Sequence, residues 1–333
     1  MSQPKRNTLE AMPLVVMETI LENCNYVDIQ CLRKCCSLLR GLVDEIKPSP
    51  KVQSITWIAK YSLQVSMRLE FFDGQSIDIF YSKYAGGCTT MKNSEELRKC
   101  RRCFNPMIEK LMFEDFKILK SSLEHQTTPL EVLSLEFQKD SVFLLHHSVL
   151  LAMIKPPFIR TTSLLLKIDS SRHLDHILPL VSAETLEELT MEVTVDERNG
   201  RGLDSVAGLE HWNHIRRLKL FGFRIHDTRL LENISYSTSR MVRISPQQVA
   251  RLKEAFLKSP TFQWCSLSLD DDTNRLESLR SIVPDIEDDP EETDWFFASP
   301  RPGQVFRVSH SRSRMTFSLF DVADLKEDDI VRD

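Results

Sequence analysis

The chain has 333 residues, 41% of them hydrophobic and 27% charged, with a formal net charge of −5. That composition excludes fibrous and wholly disordered classes and offers no overall basic field for nucleic acid. The longest apolar stretch, Val142 to Ile154, is too short to span a bilayer and contains His146 and His147, while Glu10 and Glu18 interrupt the region where a signal peptide needs an apolar core. These features predict about two domains in a cytoplasmic or nuclear protein with neither membrane nor nucleic-acid partners, whose eight cysteines are thiols.

The chain opens with helical periodicity. From Pro13, the residues Val16, Met17, Ile20 and Leu21 fall at the spacing of one helix face. A second helix is predicted near Asp28 as N-cap. A third, with Cys35, Leu38, Leu39, Leu42 and Val43 on one side, ends before Pro48. Three helices this short are marginal alone, which predicts an interaction module. After Pro48-Ser49-Pro50 the period changes toward two. Ser62 to Phe71 and Gln75 to Ser82 read as strands joined by Asp73-Gly74, a dipeptide suited to a tight hairpin turn. Lys92 to Ser122 then reads as helix, with Asn93 or Ser94 as cap and Glu95 and Glu96 in its first turn.

From residue 129 the spacing L-x-x-L-x-L recurs at Leu130, Leu133, Leu135; at Leu186, Leu189, Met191; at Ile215, Leu218, Leu220; and at Trp264, Leu267, Leu269, with Thr161, Leu164, Leu166 as a weaker copy. Successive central residues are 31, 25, 29 and 49 apart. Helical patterns fill the gaps at Val142 to Lys155, Arg172 to Leu180 and Ser245 to Leu257, the last with Ser245 as N-cap and Pro246 at the first position. Such alternation predicts an α/β fold: an irregular solenoid like a leucine-rich-repeat arc. The 49-residue gap holds either a degenerate repeat around Met241 to Ile244 or a long loop through Asn233 to Arg240. Asp285 to Asp294 carries seven acids in ten residues and reads as a solvated loop. Trp295 to Phe297, Val305 to Val308 and Arg314 to Phe320 are expected as terminal strands capping the array. In that arrangement the L-x-L side chains point to the core. Period two then places Ser134, Glu136, Leu165, Lys167, Thr190, Glu192, Lys219, Phe221, Ser268 and Asp270 on the open strand face, where Leu165 and Phe221 are the apolar members.

Residues Met12 to Pro48, MPLVVMETILENCNYVDIQCLRKCCSLLRGLVDEIKP, resemble an F-box, matching at Met12-Pro13, Val16, Met17, Ile20, Leu21, Tyr26, Asp28, Leu32-Arg33, Leu39-Arg40 and Leu42-Val43-Asp44. Cys24 and Cys35-Cys36 depart from the family pattern toward looser packing. The rest resembles the nematode F-box A group with its FTH domain, through IDIFYSKYAGGC from Ile77, FEDFKILKSSL from Phe113, ISPQQVARLKEAFLKSP from Ile244 and SHSRSRMTFSL from Ser309. The resemblance implies a three-helix F-box, residues 12–48, that docks through Met12, Pro13, Val16, Met17, Ile20, Leu21, Leu32, Leu39 and Leu42 on a Skp-type adaptor, and through it on a cullin, in an SCF ubiquitin ligase. The flanking segments are then a flexible 1–11, a hairpin-plus-helix connector at 51–122, an FTH or repeat-like substrate-binding domain at 123–322 and a tail at 323–333. Leu165, Lys167, Glu192, Lys219 and Phe221 are the expected substrate contacts.

Alternative chemistry finds little support in the residues. Cys100-x-x-Cys103 with Cys88 lacks a second pair for zinc, and with Lys99, Arg101 and Arg102 it reads as a solvated helix face. His173-x-x-His176 and His211-x-x-His214 stand at different offsets from the strands that follow them, which favours solvated or capping histidines over a metal site. The cluster Arg98, Lys99, Arg101, Arg102 has no interleaved aromatics. No G-x-S-x-G, P-loop, G-x-G-x-x-G or H-E-x-x-H is present, so neither catalytic residues nor metal nor cofactor is expected. The function predicted is a substrate-recognition adaptor acting by proximity. A sequestering F-box protein and an enzyme with a scattered site are the alternatives.

Overall fold

A computed structural model describes residues 12–60, 64–84, 87–94, 98–104, 108–137, 159–168, 173–193, 203, 208–241, 243–269, 280, 282–283, 292–311, 313–326, 329 and 331–332. The fold is α/β, three N-terminal helices followed by strands and further helices. Contacts divide the chain into two units, Met1–Ser134 with Asp140–Thr161, and Leu135–Lys139 with Thr162–Asp333.

The first unit begins with helices α1 (Leu14–Asn23), α2 (Tyr26–Cys35) and α3 (Ser37–Ile46). The cap of α2 is Asn25, three residues before the expected Asp28: its side chain accepts from the Asp28 N–H at 2.9 Å. Asp28 then sits in the first turn, where the helix dipole favours a carboxylate. Leu21, Ile29 and Val43 form the buried cluster of the trio, with Cys24, Leu32 and Ile46 packed against it, and an Arg33–Asp44 ion pair of 2.8 Å ties α2 to α3.

Strands β1 (Val52–Lys60), β2 (Gln64–Phe71), β3 (Ser76–Tyr84), β4 (Gly87–Ser94) and β5 (Arg98–Phe104) form an antiparallel meander, followed along the chain by α4 (Ile108–Leu123) and β6 (Leu130–Phe137). The expected hairpin is present. Gly74 takes φ +82°, the left-handed turn that the Asp73-Gly74 signal requires. The helix expected from Lys92 begins only at Ile108, because residues 92–94 and 98–104 are strand. Eight residues of β4 pair with β3, from Tyr84↔Gly87 to Ile77↔Ser94. That ladder satisfies more backbone groups than the local cap signal at Asn93, worth about 1 kcal/mol, can offset.

The buried Gln126 closes this unit. Its amide accepts from the Val52 N–H at 2.9 Å and donates to the Val52 carbonyl at 2.7 Å and the Thr128 carbonyl at 2.9 Å, so a side chain pairs with the start of β1 as a strand would. On α4, Phe116 and Leu119 are buried, and Phe116 meets Trp57 of β1 with ring centroids 5.2 Å apart.

In the second unit, β7 (Thr161–Ile168), β8 (Glu188–Val193), β9 (Arg217–Ile225), β10 (Tyr236–Met241) and β11 (Trp264–Leu269) are parallel neighbours in chain order. The L-x-L residues face the core as expected: Leu164 and Leu166, Leu189 and Met191, Leu218 and Leu220, and Leu267 and Leu269 are buried. The 49-residue gap contains β10, earlier than the expected Met241 to Ile244. Ser237 and Ser239 occupy its core positions, both buried, beside Leu218 of β9 and Cys265 and Leu267 of β11.

Between strands, the expected helix at 172–180 is the single turn α5 (Leu174–Ile177) extended by a 3₁₀ turn, Leu178–Leu180. The helix α6 (Pro246–Lys258) has Ser245 as N-cap with a full capping box to Gln248, as its sequence predicts. The expected helix at Val142 to Lys155 lies outside the described residues. After β11 the direction reverses: β14 (Arg314–Asp321) pairs antiparallel with β11, then β13 (Gln304–Ser311), β12 (Glu292–Ala298) and the two-residue β15 (Val331–Arg332). Phe256 of α6 stacks on Phe262 at 4.1 Å and meets Phe317 of β14 edge-on at 5.5 Å, which anchors the terminal strands to the parallel set.

Candidate interaction surfaces

The residues expected to meet an adaptor separate into three groups. Met17 (1% exposed), Leu21 (0%) and Leu39 (6%) are core. They hold the helices together and present no area to a partner. Ile20, Leu32 and Leu42 are half-buried. Met12, Pro13 and Val16 are exposed, and the structure adds Leu14, Val15 and Leu38 to them, with Val15 70% exposed. Sequence periodicity missed Leu14 and Val15 because the helical face it identifies is the one that packs inward. The outward apolar residues carry no periodic signal, yet a cluster of exposed aliphatics on one short helix marks a contact surface.

This helical trio is seated on the sheet of its own unit. Tyr26 lies over Phe71, Asn25 Nδ2 donates to Gln75 Oε1 at 3.1 Å, Lys51 Nζ donates to the Glu22 carbonyl, and Pro48 and Pro50 are buried. Burial, then the Asp115 carboxylate, pushes the Tyr26 hydroxyl up to about 12. Tyr81, whose hydroxyl donates to Asp115 Oδ2 at 2.8 Å, is raised by the same two causes.

The second surface is the open strand face of the second unit. Lys167 pairs with Glu192 at 3.6 Å and Lys219 with Glu188 at 3.2 Å, linking β7 to β8 and β8 to β9. Leu165 is half-buried, whereas Phe221 is 48% exposed. The backbone beside it is distinctive. Gly222 takes φ +79°, and a Cβ there would stand 3.2 Å from the Val193 carbonyl oxygen. Period two after the buried Leu220 turns Phe221 outward opposite Glu192, and the register of β9 with β10 shifts between Thr238 and Arg240, a bulge around Gly222. Asp270 lies outside the described residues.

Trp264, read as the leading position of a repeat, instead stacks on Tyr236 at 4.7 Å with both rings half-buried on this face. Period two along β10 and β11 implies that placement, but leucine-rich-repeat spacing obscured it.

His211 is buried and bonded through Nε2 to the Val181 carbonyl at 2.9 Å, a structural role, while His176 and His214 are exposed. No group of three potential metal ligands occurs among the described residues. Cys100 and Cys103 lie on β5, a strand where a helix face was expected, with Cys103 registered opposite Cys88. Burial pushes the Cys265 thiol up to about 12.

Three helices around a small apolar cluster, with aliphatic side chains left outward on the first, are the architecture of an F-box, and residues 9–49 match the family model of the F-box domain. Residues 150–283, which include the parallel strands β7 to β11, match that of the FTH domain, so the chain is an F-box protein of the F-box-plus-FTH arrangement. No curated protein sequence and no solved structure gives a match. The F-box domain supports a role as an adaptor subunit of SCF-type ubiquitin ligases that binds a Skp-type adaptor and through it a cullin; F-box proteins are generally non-catalytic adaptors. Among the described residues no helix is long and apolar enough to cross a membrane.

Proposed function

We propose that this chain is the substrate-recruiting subunit of an SCF-type ligase. Met12, Pro13, Val16 and the half-buried Ile20, Leu32 and Leu42 form the adaptor contact, joined by Leu14, Val15 and Leu38. The open face of the second unit, with Leu165, Lys167, Glu192, Lys219 and Phe221, holds a protein substrate. Its contribution to catalysis is positional. A tethered substrate lysine meets the ubiquitin thioester at an effective concentration in the millimolar range, and no residue of this chain transfers a proton.

The observation that carries this reading is the F-box match on a helical trio whose aliphatic residues remain exposed. Its test is a reconstituted ligase containing the full chain, the adaptor, the cullin and the ubiquitin-charging enzymes. A partner captured by the chain should be ubiquitinated, and transfer should cease when the chain is omitted. A captured partner that stays unmodified in the active complex would favour sequestration instead.

A further inference from the structure

The cysteines of the chain stand in different settings, and register sets one pair apart. Cys265 is wholly buried. Cys36 Sγ accepts the Leu39 N–H at 3.4 Å at the start of α3, and Cys35 Sγ donates to the Cys31 carbonyl at 3.3 Å within α2. Cys88 of β4, by contrast, is registered directly opposite Cys103 of β5. Residues opposite each other in an antiparallel pair share a face, with Cα atoms about 4.5 or about 5.5 Å apart. Both spacings fall within the span of about 4.4 to 6.8 Å that a disulfide bridges. Cys100 is excluded from that bond. Three residues along a strand separate it from Cys103 by about 10 Å and place the two on opposite faces, beyond the limit of about 7 Å. The Cys100-x-x-Cys103 spacing is thus split by the strand, and Cys103 is brought to Cys88 instead.

The neighbours on that face are cationic. Thr90 is registered with Arg101 and Lys92 with Lys99, so period two puts Lys92, Lys99 and Arg101 on the face that carries Cys88 and Cys103. The positions of β4 and β5 on this face carry no carboxylate. Like charges directly opposite each other are destabilising in a sheet, so the Lys92–Lys99 rung does not serve the pairing of the two strands. Cationic neighbours do favour a thiolate, the form of cysteine that attacks a disulfide. They also attract an anionic reagent, and oxidised glutathione, with its free carboxylates, is one. The pair occupies a sensitive point of the fold. The ladder runs from Asn93↔Arg98, beside the connection between the strands, to Gly87↔Phe104, and Cys88↔Cys103 is the rung next to that open end. Among the described residues β5 pairs with β4 alone, so this is the free end of an edge hairpin, where local opening is easiest.

We propose that Cys88 and Cys103 form a reversible thiol–disulfide site that exchanges with oxidised glutathione and, when linked, staples the open end of the β4–β5 hairpin. The Cys103 thiolate attacks one sulfur of glutathione disulfide, which forms a mixed disulfide and releases one glutathione. The Cys88 thiolate then attacks the Cys103 sulfur, and the second glutathione leaves. Two protein thiols are oxidised by two electrons, one glutathione disulfide is reduced to two glutathione thiols, and these carry the two protons.

The test equilibrates the folded full chain in buffers of rising oxidised-to-reduced glutathione ratio, blocks the remaining thiols with iodoacetamide and digests with trypsin for mass spectrometry without reduction. The linked product should join residues 84–92 to residues 103–110, two hydrogens lighter than the two peptides together, and should revert when the ratio is reversed. Cys100→Ser should leave its yield unchanged. Cys88→Ser should abolish it and leave Cys103 carrying glutathione. Brief trypsin treatment of the folded protein reads the staple itself: cleavage after Arg98, Lys99, Arg101 and Arg102 should be about tenfold slower in the linked chain than in the reduced one. Unlinked thiols at both positions in oxidised glutathione, a link that contains Cys100, a link that forms only in denaturant, or equal cleavage rates in the two states would each overturn the proposal.

Discussion

Tyr26 of the second helix lies over Phe71 at the end of β2, ring centroids 6.3 Å apart and planes 22° from parallel. That pair, with buried Pro48 and Pro50 on either side of Ser49, makes the F-box part of the first unit's core. Deleting residues 1 to 47 should therefore uncover Phe71, which is 1% exposed in the full chain. We expect the truncated protein to melt at lower temperature and to bind a hydrophobic dye. Tyr26→Ala in the full chain should cost about 2 to 4 kcal/mol through loss of a packed ring, measured by denaturant unfolding. A truncated protein with an unaltered melting temperature would return the F-box to an independent module.

The same aromatic cluster sets an alkaline limit. Tyr26 titrates near 12 and Tyr81 is likewise raised, both by burial first and Asp115 second. A group whose folded pKa lies above its unfolded value lends stability that is complete below the unfolded value, about 10 for tyrosine, and is lost as pH rises through the folded one. Stability measured by denaturant unfolding should accordingly fall between about pH 10 and pH 12. Tyr26→Phe should flatten part of that fall. An identical pH dependence in wild type and variant would remove Tyr26 from the account.

Gly222 follows the exposed Phe221 in a left-handed backbone conformation. Gly222→Ala places a Cβ against Val193 in a left-handed backbone conformation and should destabilise the second unit by about 1 kcal/mol or more. Phe221→Ala removes an exposed ring and should leave the melting temperature within about a degree, since surface changes rarely exceed ±0.5 kcal/mol. Its effect should fall on partner capture, where loss of an interface hot spot costs about 2 kcal/mol. A large drop in melting temperature for Phe221→Ala would mean that the ring is structural.

The elements most legible in the sequence were those whose local signals agree with their tertiary setting. Ser245, Pro246 and Gln248 announce α6, Asp73-Gly74 announces the hairpin, and alternating apolar residues announce β7, β8, β9, β11 and β13. Legibility failed where tertiary pairing overrode local preference. β4 and β5 carry helix-like caps and charges but complete a meander. β10 was hidden because Ser237 and Ser239 stand where leucines are expected, so the spacing persisted without the hydrophobic signal. The F-box helices were legible as helices, yet periodicity cannot separate residues that hold the trio together, such as Met17 and Leu39, from those offered outward, such as Val15.

The exposed first helix supplies the most direct measurement of the central claim. Val15→Asp with Val16→Asp alters two outward side chains and should leave the melting temperature unchanged, whereas the buried Met17→Asp should unfold the trio. Binding of purified full chain to a Skp-type adaptor should be tight in the wild type and at least about tenfold weaker in the folded double variant. A wild-type chain that does not bind the adaptor, or a double variant that binds it equally well, would contradict the account.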